Sequence, residues 1–287
     1  MSRTWSYAVA AGALLLALVG CGGGGNDPVT GVSASNLHYT GALGAVNLDI
    51  SGNALDNPIK VTANKTACTV ATATSASART ALCIITVPSN RKVDIVVTSN
   101  SDYVLYTTTL IAPAPQITLK TTLGDVVMEL DSDAAPITVK NFLTYVNKSP
   151  SFYNGTLFHR VIPGFMAQGG GFTMGMNEKT LPVTATGITL ESQNGLLNVR
   201  GALAMARTSE PNTAKAQFFV NLVDNAFLNY ESASKPGYAV FGKVISGMDV
   251  VDLMATKATH TVVISPLVKY ENVPLTDITI TSASQTQ

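Results

Sequence analysis

The chain has 287 residues, with 18 cationic and 18 acidic side chains and only 13% charged residues in total. Single hydrophobic cores stop growing at about 250–300 residues, so this length indicates about two domains. The balanced charge provides no strongly basic surface, and we expect no nucleic-acid partner. Thr, Ser, Ala and Val are abundant, which favours strands over long surface helices and predicts a mostly β protein.

The first twenty residues have the pattern of an export signal. Arg3 precedes an apolar run over residues 8–19. At about a dozen residues this run is too short to span a bilayer and is typical of the hydrophobic region of a signal peptide. It ends in the letters LVGC at residues 18–21, which resemble the lipobox of bacterial lipoproteins. The resemblance implies that Cys21 is lipidated, with an ordinary cleaved signal and an incidental cysteine as the alternative.

The residues around Cys21 extend this prediction. Four glycines follow at positions 22–25 and form a flexible tether, so we assign residues 1–20 to a signal peptide and 21–28 to the tether. The protein is then expected to be exported and lipid-anchored on the periplasmic side of a bacterial membrane. In Gram-negative lipoproteins an aspartate directly after the cysteine commonly signals inner-membrane retention. Its absence here favours the outer membrane.

The other two cysteines, Cys68 and Cys83, are expected to form a disulfide. They lie fifteen positions apart in a chain predicted to enter an oxidising compartment. Each falls in a strand-like run, over residues 65–72 and 80–87, and a Ser/Ala-rich link joins the runs. A disulfide across a hairpin is therefore reasonable, and two buried free thiols are the alternative.

Residues 29–112 are predicted to form a small β-sandwich. Runs of β-branched residues alternate with turn signals, for example at 46–50, 93–98 and 103–111. Strand count and spacing make the Ig-like class the leading interpretation. No catalytic constellation is visible, so a spacer, a client-binding module and a surface-adhesion module all stay open. The proline-rich residues 113–115 predict a stiff, extended linker.

The second domain, residues 116–284, mixes strands with two helices. Ser132-Asp133 offers a helix N-cap before Pro136, and an apolar face follows at i, i+3, i+4 and i+7, formed by Val139, Phe142, Leu143 and Val146. A second short helical pattern covers 248–254. Strands are predicted at 116–121, 125–131, 202–207, 216–222, 239–244 and 275–282. Many strands with two helices favour a barrel.

The stretch over residues 158–171, FHRVIPGFMAQGGG, combines a cation and a glutamine with large apolar side chains. A period-two interpretation of a strand at 157–162 puts Phe158, Arg160 and Ile162 on one face, so a guanidinium shares a surface with apolar neighbours. The alternative is a structural ion pair between Arg160 and a carboxylate. His159 lies on the opposite face of the predicted strand and is expected to pack inside.

Residues 158–170 resemble the central signature of the cyclophilins, the peptidyl-prolyl cis-trans isomerases, which reads F-H-R-V-I-P-G-F-M-x-Q-G-G. Further matching segments are MART at 205–208, QFF at 217–219, DNAFL at 224–228 and VFGKV at 240–244. The resemblance covers roughly residues 116–284. It implies an eight-stranded antiparallel barrel with a helix over each open end.

The same resemblance implies the site residues. Arg160, Phe165 and Gln168 are expected to be catalytic, and the substrate groove is expected to contain Ile162, Met166, Ala206, Arg207, Gln217, Phe219, Phe227, Leu228 and Tyr238. Phe227 and Tyr238 stand where many eukaryotic members carry tryptophan and histidine, and both choices are those of bacterial-type members. Arg207 replaces a frequent asparagine at a position where the family uses mainly main-chain groups. For each apolar residue taken alone, ordinary barrel core is the alternative.

The implied function is peptidyl-prolyl cis-trans isomerisation of Xaa-Pro bonds in unfolded or extended exported polypeptides. Rotation about an amide breaks no bond, so neither a cofactor nor a metal is expected. The alternative is a module that binds proline-containing segments, or acts as a chaperone, with little turnover. Three scattered histidines do not favour a Ser-His-Asp hydrolase or a zinc site, and no Lys-Ser/Thr follows the glycines at 169–171, which excludes a P-loop.

Overall fold

The computed structural model describes residues 28–39, 44–73, 75–85, 91–181 and 186–287. The predicted signal peptide, Cys21 and nearly all of the predicted tether lie outside the described residues. Within the described ranges, none of the helices has the length and apolar character needed to cross a membrane.

The N-terminal part consists of strands that form two four-stranded antiparallel sheets. Their spatial orders are β1-β2-β6-β5 and β4-β3-β7-β8. Both sheets contribute to one buried cluster that includes Leu48, Ile50, Val61 and Ile95. The arrangement is a β-sandwich, while the Ig-like class and the exact domain limits stay predictions. The strands are β1 Thr30–Tyr39, β2 Ala45–Asn53, β3 Ile59–Ala63, β4 Thr66–Ala67, β5 Thr69–Val70, β6 Ala78–Ile84, β7 Lys92–Ser99 and β8 Val104–Ile111.

A disulfide joins Cys68 to Cys83, with 4.4 Å between the two Cα atoms. The pairing of β5 with β6 places Thr69 opposite Leu82 and Val70 opposite Ala81. Continued by one residue, this register puts the two cysteines directly opposite each other. The predicted disulfide across antiparallel strands is therefore confirmed.

The second part is built on one eight-stranded antiparallel sheet, with spatial order β11-β12-β16-β15-β17-β10-β9-β20. Two two-stranded hairpins, β13–β14 and β18–β19, lie outside this sheet. The strands are β9 Gln116–Thr121, β10 Gly124–Leu130, β11 Phe158–Ile162, β12 Met166–Gly169, β13 Phe172–Thr173, β14 Asn177–Glu178, β15 Ala202–Met205, β16 Phe218–Asn221, β17 Val240–Ser246, β18 Thr259–Ser265, β19 Val268–Pro274 and β20 Ile280–Gln285.

Backbone bonds connect the two outermost strands of the sheet. Leu157 forms a bridge with Thr279, and the Phe158 N–H donates to the Ile278 carbonyl at 2.9 Å. Because these residues directly precede or begin the two edge strands, the sheet closes into the barrel that the family resemblance implied. Its interior is filled by apolar side chains, among them Phe158 and Phe218.

Two α-helices, α1 (Pro136–Val146) and α2 (Met248–Ala255), bury residues in the barrel core. The predicted apolar face of α1 is confirmed. The predicted N-cap at Ser132-Asp133 is wrong, because the helix begins at Pro136 and its first turn has no side-chain cap of this kind. Instead, the Glu191 carboxylate accepts bonds from the N–H groups of Ile137 (3.1 Å) and Thr138 (2.7 Å).

The C-terminal strands differ from the prediction in one important way. Residues 259–274, for which the sequence analysis predicts no strand, form the hairpin of β18 and β19. The last strand begins at Ile280, five residues later than predicted. A run rich in β-branched residues at 259–265 was not assigned as a strand, although its composition favours one.

The β11 strand contains an irregularity that matters for the site. Phe158 pairs with Gly169, whereas Arg160 pairs with Gln168, so two steps along β11 match one step along β12. Such a bulge turns the residues before and after it to different faces. Phe158 points into the barrel core, and its ring centroid lies 5.8 Å from that of Phe218. The expectation that Phe158 shares a face with Arg160 and Ile162 is therefore wrong.

Candidate active site

The outer face of the barrel sheet carries a second apolar cluster, separate from the barrel core. Neighbouring residues on β16 divide between the two, with Phe218 in the core and Phe219 in the outer cluster. The outer cluster contains seven of the predicted site residues, which are Ile162, Phe165, Met166, Ala206, Phe219, Leu228 and Tyr238. The structure thus brings these side chains together on one surface, and they are not barrel-interior residues.

Aromatic contacts define the shape of this cluster. The Phe165 and Phe227 rings are stacked, with centroids 5.6 Å apart, and Phe219 meets Tyr238 edge to face, also at 5.6 Å. Phe219 and Leu228 are buried, whereas Phe227 is 68% exposed. Buried walls with an exposed aromatic rim form an apolar depression that a small ring from another molecule could enter.

Arg160 lies half-buried beside this depression. It lines a pocket of about 450 Å³ together with His159, Gln168 and Gln217. No ion pair among the described residues involves Arg160. The structural ion pair considered from the sequence is therefore not formed, and the guanidinium lines the pocket without a carboxylate partner among the described residues.

Gln168 and Gln217 are joined side chain to side chain. The Gln168 amide nitrogen donates to the Gln217 Oε1 at 2.9 Å. A Cβ atom at position 171 would collide with the Gln217 side chain, so Gly171 leaves the space that this amide occupies. The pair places uncharged hydrogen-bonding groups next to Arg160.

Arg207 has a different role from Arg160. Its Nε and Nη2 donate to the Gly237 carbonyl at 3.0 and 2.7 Å, and its guanidinium lies 4.6 Å from the centre of the Tyr238 ring. Nη1 donates to the Thr208 and Ser209 carbonyls. The Arg207 side chain therefore holds the segment that contains Gly237 and Tyr238, while the expectation that the family uses mainly main-chain groups at this position stays a prediction.

A chain of buried asparagines lies behind the depression. Asn225 Nδ2 donates to the Phe165 carbonyl (2.9 Å) and to Asn221 Oδ1 (2.7 Å). Asn221 Nδ2 donates to Asn198 Oδ1 (3.2 Å), and Asn198 Nδ2 donates to the Leu228 carbonyl (3.1 Å). All three asparagines are at most 2% exposed. The chain of hydrogen bonds connects the carbonyls of Phe165 and Leu228, two residues of the apolar cluster.

His159 is buried next to the site but does not open into it as an acid or base. Its ring centroid lies 4.6 Å from that of Phe172, and its Nδ1 has no hydrogen-bond partner. Burial lowers the pKa of His159 from 6.5 to about 4; a backbone hydrogen bond at Leu157 opposes this shift and the charge of Arg160 adds to it. His159 is therefore neutral at physiological pH, as expected for a packing residue.

Sequence reasoning missed several residues of the site. Asn225 lies in the matched segment at 224–228, but Asn198 and Asn221 lie in none of the quoted segments, and only burial and hydrogen bonds reveal that the three residues are linked. Lys269, Tyr270 and Glu271 of β19 line the Arg160 pocket, which required the missed hairpin. Among the described residues, no group of three His, Cys, Asp or Glu side chains is placed to hold a metal ion.

Residues 116–285 match the family model described as cyclophilin type peptidyl-prolyl cis-trans isomerase. The chain belongs to this family. Similar bacterial proteins include the peptidyl-prolyl cis-trans isomerase of Acinetobacter baylyi, 57% identical over 145 residues, covering 50% of this chain and 74% of the relative. Peptidyl-prolyl cis-trans isomerase B of Escherichia coli is 54% identical over 145 residues, covering 50% and 85%.

A solved Cryptosporidium parvum cyclophilin type peptidyl-prolyl cis-trans isomerase, determined in the presence of the dipeptide Ala-Pro, is also similar. It is 26% identical, has a TM-score of 0.50, and matches 60% of this chain and 99% of its own. The cyclophilin described here is thus a peptidyl-prolyl cis-trans isomerase, and the resemblance stated from residues 158–170 is confirmed.

We predict that Asn225→Ala weakens both the fold and the groove. The substitution leaves the buried Asn221 Oδ1 unpaired, at a cost of about 1–3 kcal/mol, and removes one of the two hydrogen bonds to the Phe165 carbonyl, which also accepts from the Leu222 N–H. Isomerase assays should show a KM that rises more than kcat falls, because the chain of hydrogen bonds between Phe165 and Leu228 is broken. Asn147→Ala removes an exposed amide bonded to Gln285 and serves as the control. Unchanged stability and KM in the Asn225 variant would contradict the role assigned to the chain of asparagines.

His159 is predicted to make the folded state less stable at acidic pH. Because its folded pKa of about 4 lies below the ordinary 6.5, the unfolded chain takes up the proton first, so stability is complete above pH 6.5 and falls toward pH 4. Urea unfolding should show a loss of roughly 2.5 kcal/mol from this group between pH 7.5 and 4.5. The His159→Phe variant should lack that portion of the pH dependence, whereas exposed His260→Gln provides the control. Equal slopes in parent and His159→Phe would refute the prediction.

Proposed function

We propose that this cyclophilin is exported, is anchored to a bacterial membrane through lipid on Cys21, and isomerises Xaa-Pro bonds of unfolded or extended polypeptides outside the cytoplasm. Arg160 is the group that stabilises the twisted amide. The observation that carries the catalytic part is the position of the Arg160 guanidinium, half-buried beside an apolar depression and without an ion pair among the described residues.

The chemistry follows from the amide itself. Partial double-bond character gives a rotation barrier of about 18–20 kcal/mol, and the uncatalysed exchange takes tens to hundreds of seconds. As the bond twists, resonance is lost and the proline nitrogen regains a lone pair. A permanently charged guanidinium donates to that lone pair only in the twisted state, so it binds the transition state better than either planar form.

Arg160 by itself does not account for a large acceleration. A charge-assisted hydrogen bond contributes about 1.5–3 kcal/mol. A 10⁵-fold acceleration would require about 7 kcal/mol, so most of the stabilisation has to come from other parts of the groove. The groove can supply this stabilisation by holding the residues on one side of the Xaa-Pro bond fixed while the other side rotates.

The two halves of the groove are suited to these tasks. The apolar depression, with Phe165, Met166, Phe219 and Leu228, has the shape and polarity for a proline ring. The Gln168–Gln217 amide pair lies beside Arg160 and offers uncharged groups for the flanking peptide. The relative determined in the presence of Ala-Pro supports this substrate class.

We predict that Arg160→Ala lowers kcat/KM on an Ala-Pro peptide by about 10- to 150-fold, the equivalent of losing 1.5–3 kcal/mol. A protease-coupled isomerisation assay measures this directly. The Arg160→Lys variant should have a kcat/KM below that of the parent, because lysine keeps the positive charge but lacks the planar guanidinium. Lys120→Ala removes an exposed cation of β9 as the control. A fully active Arg160→Ala enzyme would refute the mechanism, and a parent that binds the peptide without turnover would favour the binding-module alternative.

The anchor is supported by the LVGC sequence at residues 18–21, which follows an apolar run of signal-peptide length. We predict that the parent partitions with membranes when expressed in a Gram-negative host and that Cys21→Ser is released to the soluble fraction. Density-gradient separation of inner and outer membranes tests the preference for the outer membrane. Membrane association that persists in Cys21→Ser would count against lipidation at this residue.

A further inference from the structure

The hairpin of β18 and β19 ends in an exposed apolar tip, which we define as Val263, Ile264, Leu267 and Val268. Leu267 is 95% exposed, and the other three are 40–58% exposed. Ser265 pairs with Val268, so Pro266 and Leu267 form the turn itself. Four large apolar side chains on one small projection form a surface of the kind that binds other molecules.

The middle of this hairpin packs against residues next to β11, the strand that contains Arg160. Tyr270 of β19 packs against Phe172 with ring centroids 4.9 Å apart, and Phe172 packs against His159 at 4.6 Å. His159 precedes Arg160 directly in β11. The aromatic row gives the tip a defined position relative to the Arg160 pocket.

The hairpin also forms one wall of that pocket. Lys269, Tyr270 and Glu271 line it together with Arg160, Gln168 and Gln217. Tyr270 and Leu267 are three residues apart, so at about 3.3 Å per residue the tip begins within roughly 10 Å of the pocket wall. An extended substrate crosses this distance in about three residues, so one polypeptide is long enough to occupy the Arg160 pocket and contact the tip.

We propose that the apolar tip binds the same polypeptide that occupies the groove, and that it selects unfolded segments with apolar side chains a few residues away from the proline. This inference rests on the proposed function of the groove. A short Ala-Pro peptide does not reach the tip, whereas an unfolded protein chain does. The tip would therefore increase the affinity for unfolded clients without changing the chemical step.

The immediate surroundings of the tip favour a polypeptide over a membrane. Lys269 and Glu271 flank the tip with opposite charges, so the surface does not have the uniformly basic character that attracts anionic lipid. The tip also contains no Trp or Tyr to act as an interfacial anchor. Extended polypeptide combines apolar side chains with backbone groups, which suits an apolar tip next to the Gln168–Gln217 amides.

The test uses twelve-residue peptides with a single Ala-Pro bond. One has Leu at positions 3–5 before the Ala-Pro bond, a second has Leu at positions 3–5 after it, and the third has Ser at all these places. The enzymes are the full-length Cys21→Ser chain and the same chain with Ile264→Thr and Leu267→Ser. Leu275→Ser, which removes a 60% exposed leucine beyond β19, is the matched control. Both kcat/KM and the Kd of fluorescently labelled peptides are measured.

We expect at least one leucine peptide to bind and react about three- to tenfold better than the serine peptide. The tip variant should lose this difference while a four-residue Ala-Pro peptide reacts equally well with all three enzymes. Equal behaviour of leucine and serine peptides, or a preference that survives in the tip variant, overturns the proposal. An inactive parent would refute the proposed catalysis, and the Kd values would still test the tip.

The same protein variants also test two other binding partners for the tip, a membrane and a second copy of this chain. Binding of the Cys21→Ser chain to phosphatidylcholine vesicles that the tip substitutions abolish would assign the tip to the membrane. A dimer in analytical ultracentrifugation that the tip substitutions dissociate would assign it to a second copy of this chain. Either result overturns the proposal.

Discussion

A single irregular step in β11 allows one sheet to bury two different faces. Before the bulge, Phe158 fills the barrel; after it, Arg160 and Ile162 lie on the outside. Had the strand kept a strict period of two, Phe158 and Arg160 would share a face, which requires either a cation inside the barrel or a large ring outside it. A buried unpaired guanidinium would cost several kcal/mol, so the bulge makes the same strand compatible with both a core and a site.

The charges around the groove are as important as its shape. Burial keeps His159 neutral, and Arg160 forms no ion pair among the described residues, although the Glu271 carboxylate lines the same pocket. A carboxylate paired with Arg160 would bind the guanidinium equally before and during rotation of the substrate, and the differential interaction that lowers a barrier would be lost. The buried asparagines behind the depression are also uncharged, and they donate hydrogen bonds to backbone carbonyls without placing a charge near Arg160.

Much of this structure could be predicted from the sequence, because the relevant patterns involve residues that are close together in the chain. The apolar face of α1 follows from periodicity, the pairing of Cys68 with Cys83 from their positions in two strand-like runs, and the composition of the groove from the family resemblance. The cap of α1 could not be found in this way, since Glu191 supplies it from 53 and 54 positions beyond the residues whose N–H groups it accepts from. The bulge is also invisible, because both faces of β11 are apolar enough to fit either register.

The β18–β19 hairpin shows a different limit of sequence reasoning. Its β-branched residues indicate a strand, but its position beside Arg160 depends on ring packing between Tyr270, Phe172 and His159. Enzymes that break no bond gain rate only from how tightly they hold the twisted substrate. If Arg160 and the apolar depression act as proposed, the surfaces next to them are where such enzymes can differ in the polypeptides they bind. In this chain, the β18–β19 hairpin is such a surface, because it lies outside the barrel sheet and lines the Arg160 pocket.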